Sequence, residues 1–147
     1  MREATFNALT SLGAVDGAVV LDLYAGSGAM GLEALSRGAA SATFVDLDPR
    51  ALAAIRANVA ATGFTDVTRV VRSDVPRFLA DQRAPVGLAV LDPPYALSDE
   101  GWAALLSSRL AEVAVLESDR ELGVPGGWEI LRARRYGTTV ITLAARR

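Results

Sequence analysis

The chain has no cysteine and no histidine, and all 15 of its basic residues are arginine. The lack of cysteine excludes disulfides, thiol nucleophiles and thiolate metal sites. The lack of histidine removes the commonest general base and the usual zinc ligand, so any chemistry rests on carboxylates, tyrosines, arginines and the backbone. An all-carboxylate metal site stays open, but no acidic pattern calls for one, and no metal is expected. No apolar run approaches the roughly 18 residues that cross a bilayer. The start shows no charged segment leading into an apolar one, as a signal peptide would. The expectation is a cytoplasmic protein with no membrane partner. A net charge of −2 is poor for gripping a phosphate backbone, so a nucleic-acid partner would need clustered arginines or a further basic segment.

What is present is a core. The 147 residues are 51% hydrophobic, which is enough for one domain spanning 1–147, with monomer as the default state. Phe6, Leu9 and Leu12 stand at helical spacing in a segment from Arg2 to Leu12 that Gly13 stops. Strands are expected at Ala18 to Leu23, Ser41 to Asp46, Val67 to Arg72, Gly87 to Leu91 and Ala111 to Leu116. Helices are expected at Ala29 to Arg37, from Pro49 (capped by Asp48) to Gly63, at Pro76 to Gln82 and at Asp99 to Ser108. After Pro125-Gly126-Gly127 the pattern changes to strands at Trp128 to Tyr136 and Thr138 to Ala144, joined too tightly for a helix and therefore antiparallel. Alternating strand and helix with a terminal hairpin gives an α/β, Rossmann-like, mostly parallel sheet with an antiparallel edge.

Two strand ends carry the chemistry. Asp22-Leu23-Tyr24-Ala25-Gly26-Ser27-Gly28-Ala29-Met30-Gly31 contains G-x-G-x-x-G between a strand and a helix, which alone fits NAD-type binding as well as any other nucleotide-like ligand. Asp22, four residues before the first glycine, would repel a pyrophosphate and attract the ammonium of S-adenosylmethionine. Asp46 closes the second strand, where a carboxylate can accept ribose hydroxyls of either cofactor. Asp74 could accept from an adenine amino group, or could simply cap the helix near Pro76. The cofactor-binding candidates are Asp22, Tyr24, Ala25, Gly26, Gly28, Asp46, Leu47, Asp74 and Val75.

The second strand end is Gly87-Leu88-Ala89-Val90-Leu91-Asp92-Pro93-Pro94-Tyr95, an apolar run buried on both faces that the prolines must stop. In open α/β sheets ligands bind beyond such ends. Asp92 and the Pro93 carbonyl can accept both hydrogens of an exocyclic amine, localising its lone pair, and Tyr95 can stack on the base at about 1–3 kcal/mol. Asp92, Pro93, Pro94 and Tyr95 are the catalytic candidates. Asp-Pro-Pro-Tyr resembles the signature of methyltransferases acting on exocyclic amines of nucleobases.

The chain as a whole resembles the RsmD family of 16S rRNA guanine-N2 methyltransferases. The resemblance runs from Arg2-Glu3-Ala4 through Asp22 to Gly38, Phe44-Val45-Asp46 and Asp92 to Tyr95, to Arg135-Tyr136-Gly137. Its most specific part is Leu21 to Gly28 with Gly31-Leu32-Glu33-Ala34-Leu35-Ser36-Arg37-Gly38. It implies a class I methyltransferase fold of seven strands ordered 3-2-1-4-5-7-6, S-adenosyl-L-methionine as cofactor, and RNA binding to 16S rRNA in the small ribosomal subunit. The family normally carries a basic N-terminal segment before Arg-Glu-Ala, and Met1 stands there instead, so the expectation is a domain lacking that extension. Arg132, Arg134, Arg135, Arg146 and Arg147 are the remaining basic candidates, although a charged edge strand explains the first three equally well. N6-adenine methylation, a silent cofactor-binding domain in ribosome assembly and, last, an NAD dehydrogenase are the competing readings.

Overall fold

The computed structural model describes residues 1–94 and 96–147; Tyr95, and with it the stacking expected of its ring, lies outside the described residues. In chain order the elements are α1 (Arg2–Ser11), β1 (Val19–Leu23), α2 (Ala29–Ser36), β2 (Ser41–Asp46), α3 (Pro49–Thr62), a short 3-10 turn (Thr65–Val67), β3 (Thr68–Arg72), α4 (Val75–Ala80), β4 (Val86–Leu91), α5 (Asp99–Ser107), β5 (Ala111–Ser118), β6 (Trp128–Tyr136) and β7 (Thr139–Arg146).

The strands form one sheet in the order β3-β2-β1-β4-β5-β7-β6, the order the family resemblance implies. The first five strands along that order pair in parallel, and β7 pairs antiparallel with both β5 and β6. Alternation splits the core into two layers. Leu21, Leu23, Ala89, Leu91, Ala114 and Leu116 pack with α4 and α5 around Trp102, Leu105 and Leu106. Val20, Phe44, Leu88, Val90 and Val115 pack with α1, α2 and α3 through Phe6, Leu9, Leu35, Ile55 and Val59. Each such side chain contributes roughly 1.5–3 kcal/mol when it leaves water completely.

Local chemistry fixes the boundaries. Asp48 caps α3 by accepting the Arg50 N–H at 2.9 Å, with Pro49 behind it, and Gly63 closes the helix in the left-handed region at φ 79°. Val67 lies in the 3-10 turn and not in β3. β5 continues past its apolar run to Ser118, because Glu117 and Ser118 still pair with Ile141 and Val140. The β6–β7 turn is Gly137-Thr138, so β7 starts at Thr139 and not at Thr138. Gly137, at φ 63°, takes the position where a two-residue hairpin needs a left-handed residue.

Candidate functional site

Strand alternation brings a row of carboxylates to one face of the sheet. Phe44, Val20, Val90 and Val115 all belong to the layer under α1–α3. Side chains two residues further along each strand share that face. Those positions are Asp46, Asp22, Asp92 and Glu117, at the carboxyl ends of β2, β1, β4 and β5. The spatial order follows the sheet, with Asp22 between Asp46 and Asp92, and Glu117 beyond.

Asp22 is 3% exposed. Its Oδ2 accepts the Gly31 N–H at 2.9 Å. Burial pushes its carboxyl up to about 7, helped by the Asp92 and Asp46 charges and opposed by the Gly31 hydrogen bond. The carboxylate expected to face a ligand directly is thus turned toward the first turn of α2. Asp46 braces the other side of the loop: Oδ2 accepts from Gly26 N and Oδ1 from Asp48 N, both at 2.9 Å. The Ser27 carbonyl accepts from Asn58 Nδ2 of α3 at 2.9 Å. Between these supports the backbone turns left-handed at Tyr24, Gly26 and Gly28, with φ of 57°, 59° and 81°.

The other cofactor candidates divide by placement. Leu47 is 57% exposed beside Asp46, where it offers an apolar surface to a flat ring. Asp74 caps α4 by accepting the Arg77 N–H at 3.1 Å through Oδ1. Capping therefore occupies one of its oxygens. Val75 is buried and can offer only backbone. The Tyr24 ring lines a cavity of about 310 Å³ between α4 and α5, with Pro76, Leu79 and Leu105. Burial, then the Asp74 charge, raises its phenol.

The Asp-Pro-Pro turn forms one wall of a separate cavity of about 140 Å³, whose other lining includes Leu97, Trp102, Glu117, Ser118 and the Arg120-paired Asp119. That is well below the roughly 300–1,000 Å³ of sites enclosing a whole drug-sized ligand, and suits a single ring system. Asp92 N donates to the Leu23 carbonyl at 3.4 Å, which continues the β1–β4 ladder and ties the turn to the start of the glycine loop. Asp92 is exposed at one side, yet partial burial raises its carboxyl. Half-buried Glu117 is raised by burial and by the Asp92 charge. Arg120 fastens the rim, donating to the Leu97 carbonyl and Asp99 at 2.7 Å and to Asp119 at 2.9 Å.

The family described as Conserved hypothetical protein 95 matches residues 1–145. The Ribosomal RNA small subunit methyltransferase D of Escherichia coli K12 is 36% identical over 161 residues, covering 99% of this chain and 76% of the relative. The chain belongs to the RsmD family. Bacillus subtilis YlbH is 34% identical over 160 residues, covering 100% of this chain and 85% of its own. The solved structure of Escherichia coli yhhF superposes with a TM-score of 0.86 at 35% identity, over 99% of this chain and 84% of that one. A Streptococcus pyogenes protein also gives 0.86, at 29% identity over 100% and 96%.

The cofactor of this RsmD-family chain is S-adenosylmethionine, and the residues fit it. The braced loop offers backbone to a ligand, with no Cβ at Gly26 and nothing within 4 Å of where one would stand. Burial raises Asp22, and the neighbouring Asp92 and Asp46 charges add a smaller push in the same direction. A pyrophosphate would add to that repulsion, whereas a sulfonium and an ammonium relieve it.

Sequence reasoning missed Glu117 and Arg120, which sit in an ordinary-looking stretch and reach the site only through the β4–β5 pairing of Leu91 with Leu116. It also missed a groove lined by the exposed Arg69, Arg72, Arg77 and Arg83 along β3 and α4. Of the basic residues it did name, Arg134 and Arg135 are exposed and Arg132 is partly buried on the edge strand β6. Arg146 serves the fold instead, lying 5.0 Å from the centre of the Trp128 ring and donating to the Ala111 and Ser108 carbonyls.

Proposed function

We propose that this chain transfers a methyl group from S-adenosylmethionine to the N2 amine of a guanine in 16S rRNA of the small ribosomal subunit, as a cytoplasmic, metal-independent, single-domain monomer. The observation that carries this reading is the base-sized cavity walled by Asp92, Pro93 and Pro94, joined to the cofactor loop through the Asp92–Leu23 hydrogen bond. The Escherichia coli relative is named for action on small-subunit ribosomal RNA, and the arginine groove along β3 and α4 gives a polyanion a favourable surface.

Asp46 would hold the ribose hydroxyls, Leu47 a face of the adenine, and the uncommitted oxygen of Asp74 the adenine amino group. Asp22 would act from below, fixing Gly31 and with it the loop. The bound cofactor supplies an electrophilic methyl group on a positively charged sulfur. Asp92 and the Pro93 carbonyl would accept the two N–H bonds of the guanine amine. That pairing pulls the nitrogen lone pair out of conjugation and aims it away from the acceptors. As the new N–C bond formed and the methyl–sulfur bond broke, leaving a neutral thioether, positive charge would develop on the amine beside Asp92, which would stabilise it and take the released proton. Acceleration then comes from alignment and fixed charge, which suits a chain without histidine.

The test is transfer of labelled methyl to small subunits that lack the modification, followed by nucleoside analysis. N2-methylguanosine is the expected product. N6-methyladenosine would keep the amine chemistry and overturn the substrate, and absence of transfer from a sample that binds cofactor would overturn the activity.

A further inference from the structure

Glu117 has no part in the transfer just described, yet it lines the same cavity as Asp92. It stands on the neighbouring strand, on the same face, one register step beyond the Leu91–Leu116 pair. Among the described residues no side chain hydrogen-bonds or ion-pairs with it; Arg120, the nearby cation, is engaged by Asp99, Asp119 and the Leu97 carbonyl. A half-buried carboxylate beside another, with no cation supplied by the protein, is held at a cost unless a ligand brings hydrogen-bond donors.

We propose that Glu117 is the residue that selects guanine, by accepting the ring N1–H while Asp92 and the Pro93 carbonyl hold the adjacent N2 amine. This inference rests on the guanine-N2 reading above and deepens it. Its chemistry separates the bases. In guanine the exocyclic amine has a ring N–H donor on one side and the N3 lone pair on the other. In adenine the amine lies beside the N1 lone pair on one side and the N7 edge on the other, and in cytosine beside the N3 lone pair and a C–H. Guanine alone offers an amine flanked by a donor, so a second carboxylate next to the amine site rewards guanine and repels the other two. The upward push on Glu117 from burial and from Asp92 has the same origin, negative charge without donors, and the guanine edge supplies them.

The experiment compares small subunits assembled on 16S rRNA carrying either the target guanine or 2-aminopurine at that position. The analogue keeps the N2 amine, replaces N1–H with a lone pair and lacks the 6-oxo group, so the Glu117 variants are what assign the difference to N1. The wild-type chain should prefer guanine by about 10²-fold or more in kcat/KM, since a site built around a hydrogen bond strongly rejects the analogue that lacks it. Glu117→Gln, whose amide can accept N1–H through its oxygen or donate to that lone pair through its nitrogen, should keep part of the activity on guanine, gain on 2-aminopurine so that the preference narrows, and bind S-adenosylmethionine as before. Glu117→Ala should lower guanine turnover and flatten the preference. Equal losses on both substrates, or an unchanged preference, would overturn the role of Glu117 while leaving the guanine-N2 reading intact. Absence of guanine methylation by the wild type would remove that reading and this inference together.

Discussion

Asp22 Oδ2 accepts the backbone N–H of Gly31 at 2.9 Å, joining the end of β1 to the first turn of α2 beneath the glycine loop. The bond is buried, and the acid that makes it is shifted up to about 7, mainly by desolvation. The folded chain therefore holds a proton on Asp22 that the unfolded chain releases near its ordinary value of 3.8. Stability from this group is fully present below about pH 4 and is lost as pH rises through about 7.

A measurable slope follows. Without cofactor, the thermal midpoint should fall between pH 5 and pH 8, by an amount corresponding to a few kcal/mol if Asp22 dominates. Asp22→Asn should remove most of that fall. Parallel profiles for the two proteins would assign the slope to other groups, with the raised Asp92 and Glu117 carboxyls first in line.

Gly31 and Gly26 should respond differently to alanine. A Cβ at Gly31 would stand 2.5 Å from Phe44 Cε1 and 3.1 Å from Asp22 Oδ2, with the buried ring unable to retreat. Gly31→Ala should cost about 1–3 kcal/mol in urea denaturation. Gly26→Ala meets no neighbour within 4 Å and is penalised only by its φ of +59°, about 1–2 kcal/mol. Its larger effect should be on S-adenosylmethionine binding. A Gly31→Ala protein as stable as wild type would mean that Phe44 is less confined than its packing indicates.

The neighbouring acids Asp46 and Asp48 should separate binding from stability. Asp46→Ala removes the acceptor for both Gly26 N and Asp48 N. S-adenosylmethionine affinity measured by calorimetry should fall about 10-fold or more, since charge-assisted bonds contribute roughly 1.5–3 kcal/mol each. Asp48→Ala removes the α3 cap and a solvent-exposed ion pair with Arg50, at about 1 kcal/mol of stability, nearly all from the cap, with little change in affinity. Equal affinities for the two variants would rule out Asp46 as the ribose anchor.

Asp92→Ala should reduce turnover by roughly 10²-fold or more while leaving cofactor affinity close to wild type. Single-turnover methyl transfer combined with calorimetry checks both. Near-normal turnover would take Asp92 out of the chemistry.

The strands, the helices and the glycine loop were legible because each rests on local pattern: apolar runs, capping acids and glycines at turns; the sheet order came only from the family resemblance. Asp46, Leu47, Asp74 and Asp92 stood out as candidates because each lies at or just beyond the end of a strand. Their partners were not legible. That Asp22 turns to Gly31 depends on how α2 sits over β1, and that Asp46 holds Gly26 spans 20 residues of sequence. Glu117 becomes visible only once β5 lies beside β4, and its stretch Leu116-Glu117-Ser118-Asp119 carries no turn signal of the kind that marks Asp-Pro-Pro. The boundary errors have a similar cause. The extra length of β5 comes from pairing with β7, which no property of residues 111–118 encodes.

That pairing also bears on how the chain reaches its native state. β7, last in sequence, lies inside the sheet between β5 and β6. Made from the N-terminus, the chain emerges with β5 presenting an unpaired edge, and β6 joins the sheet only through β7. Folding of this half is thus obligatorily late. The nascent polypeptide carries an exposed sheet edge until its last strand is free, the interval in which such chains are most open to aggregation and to chaperone capture.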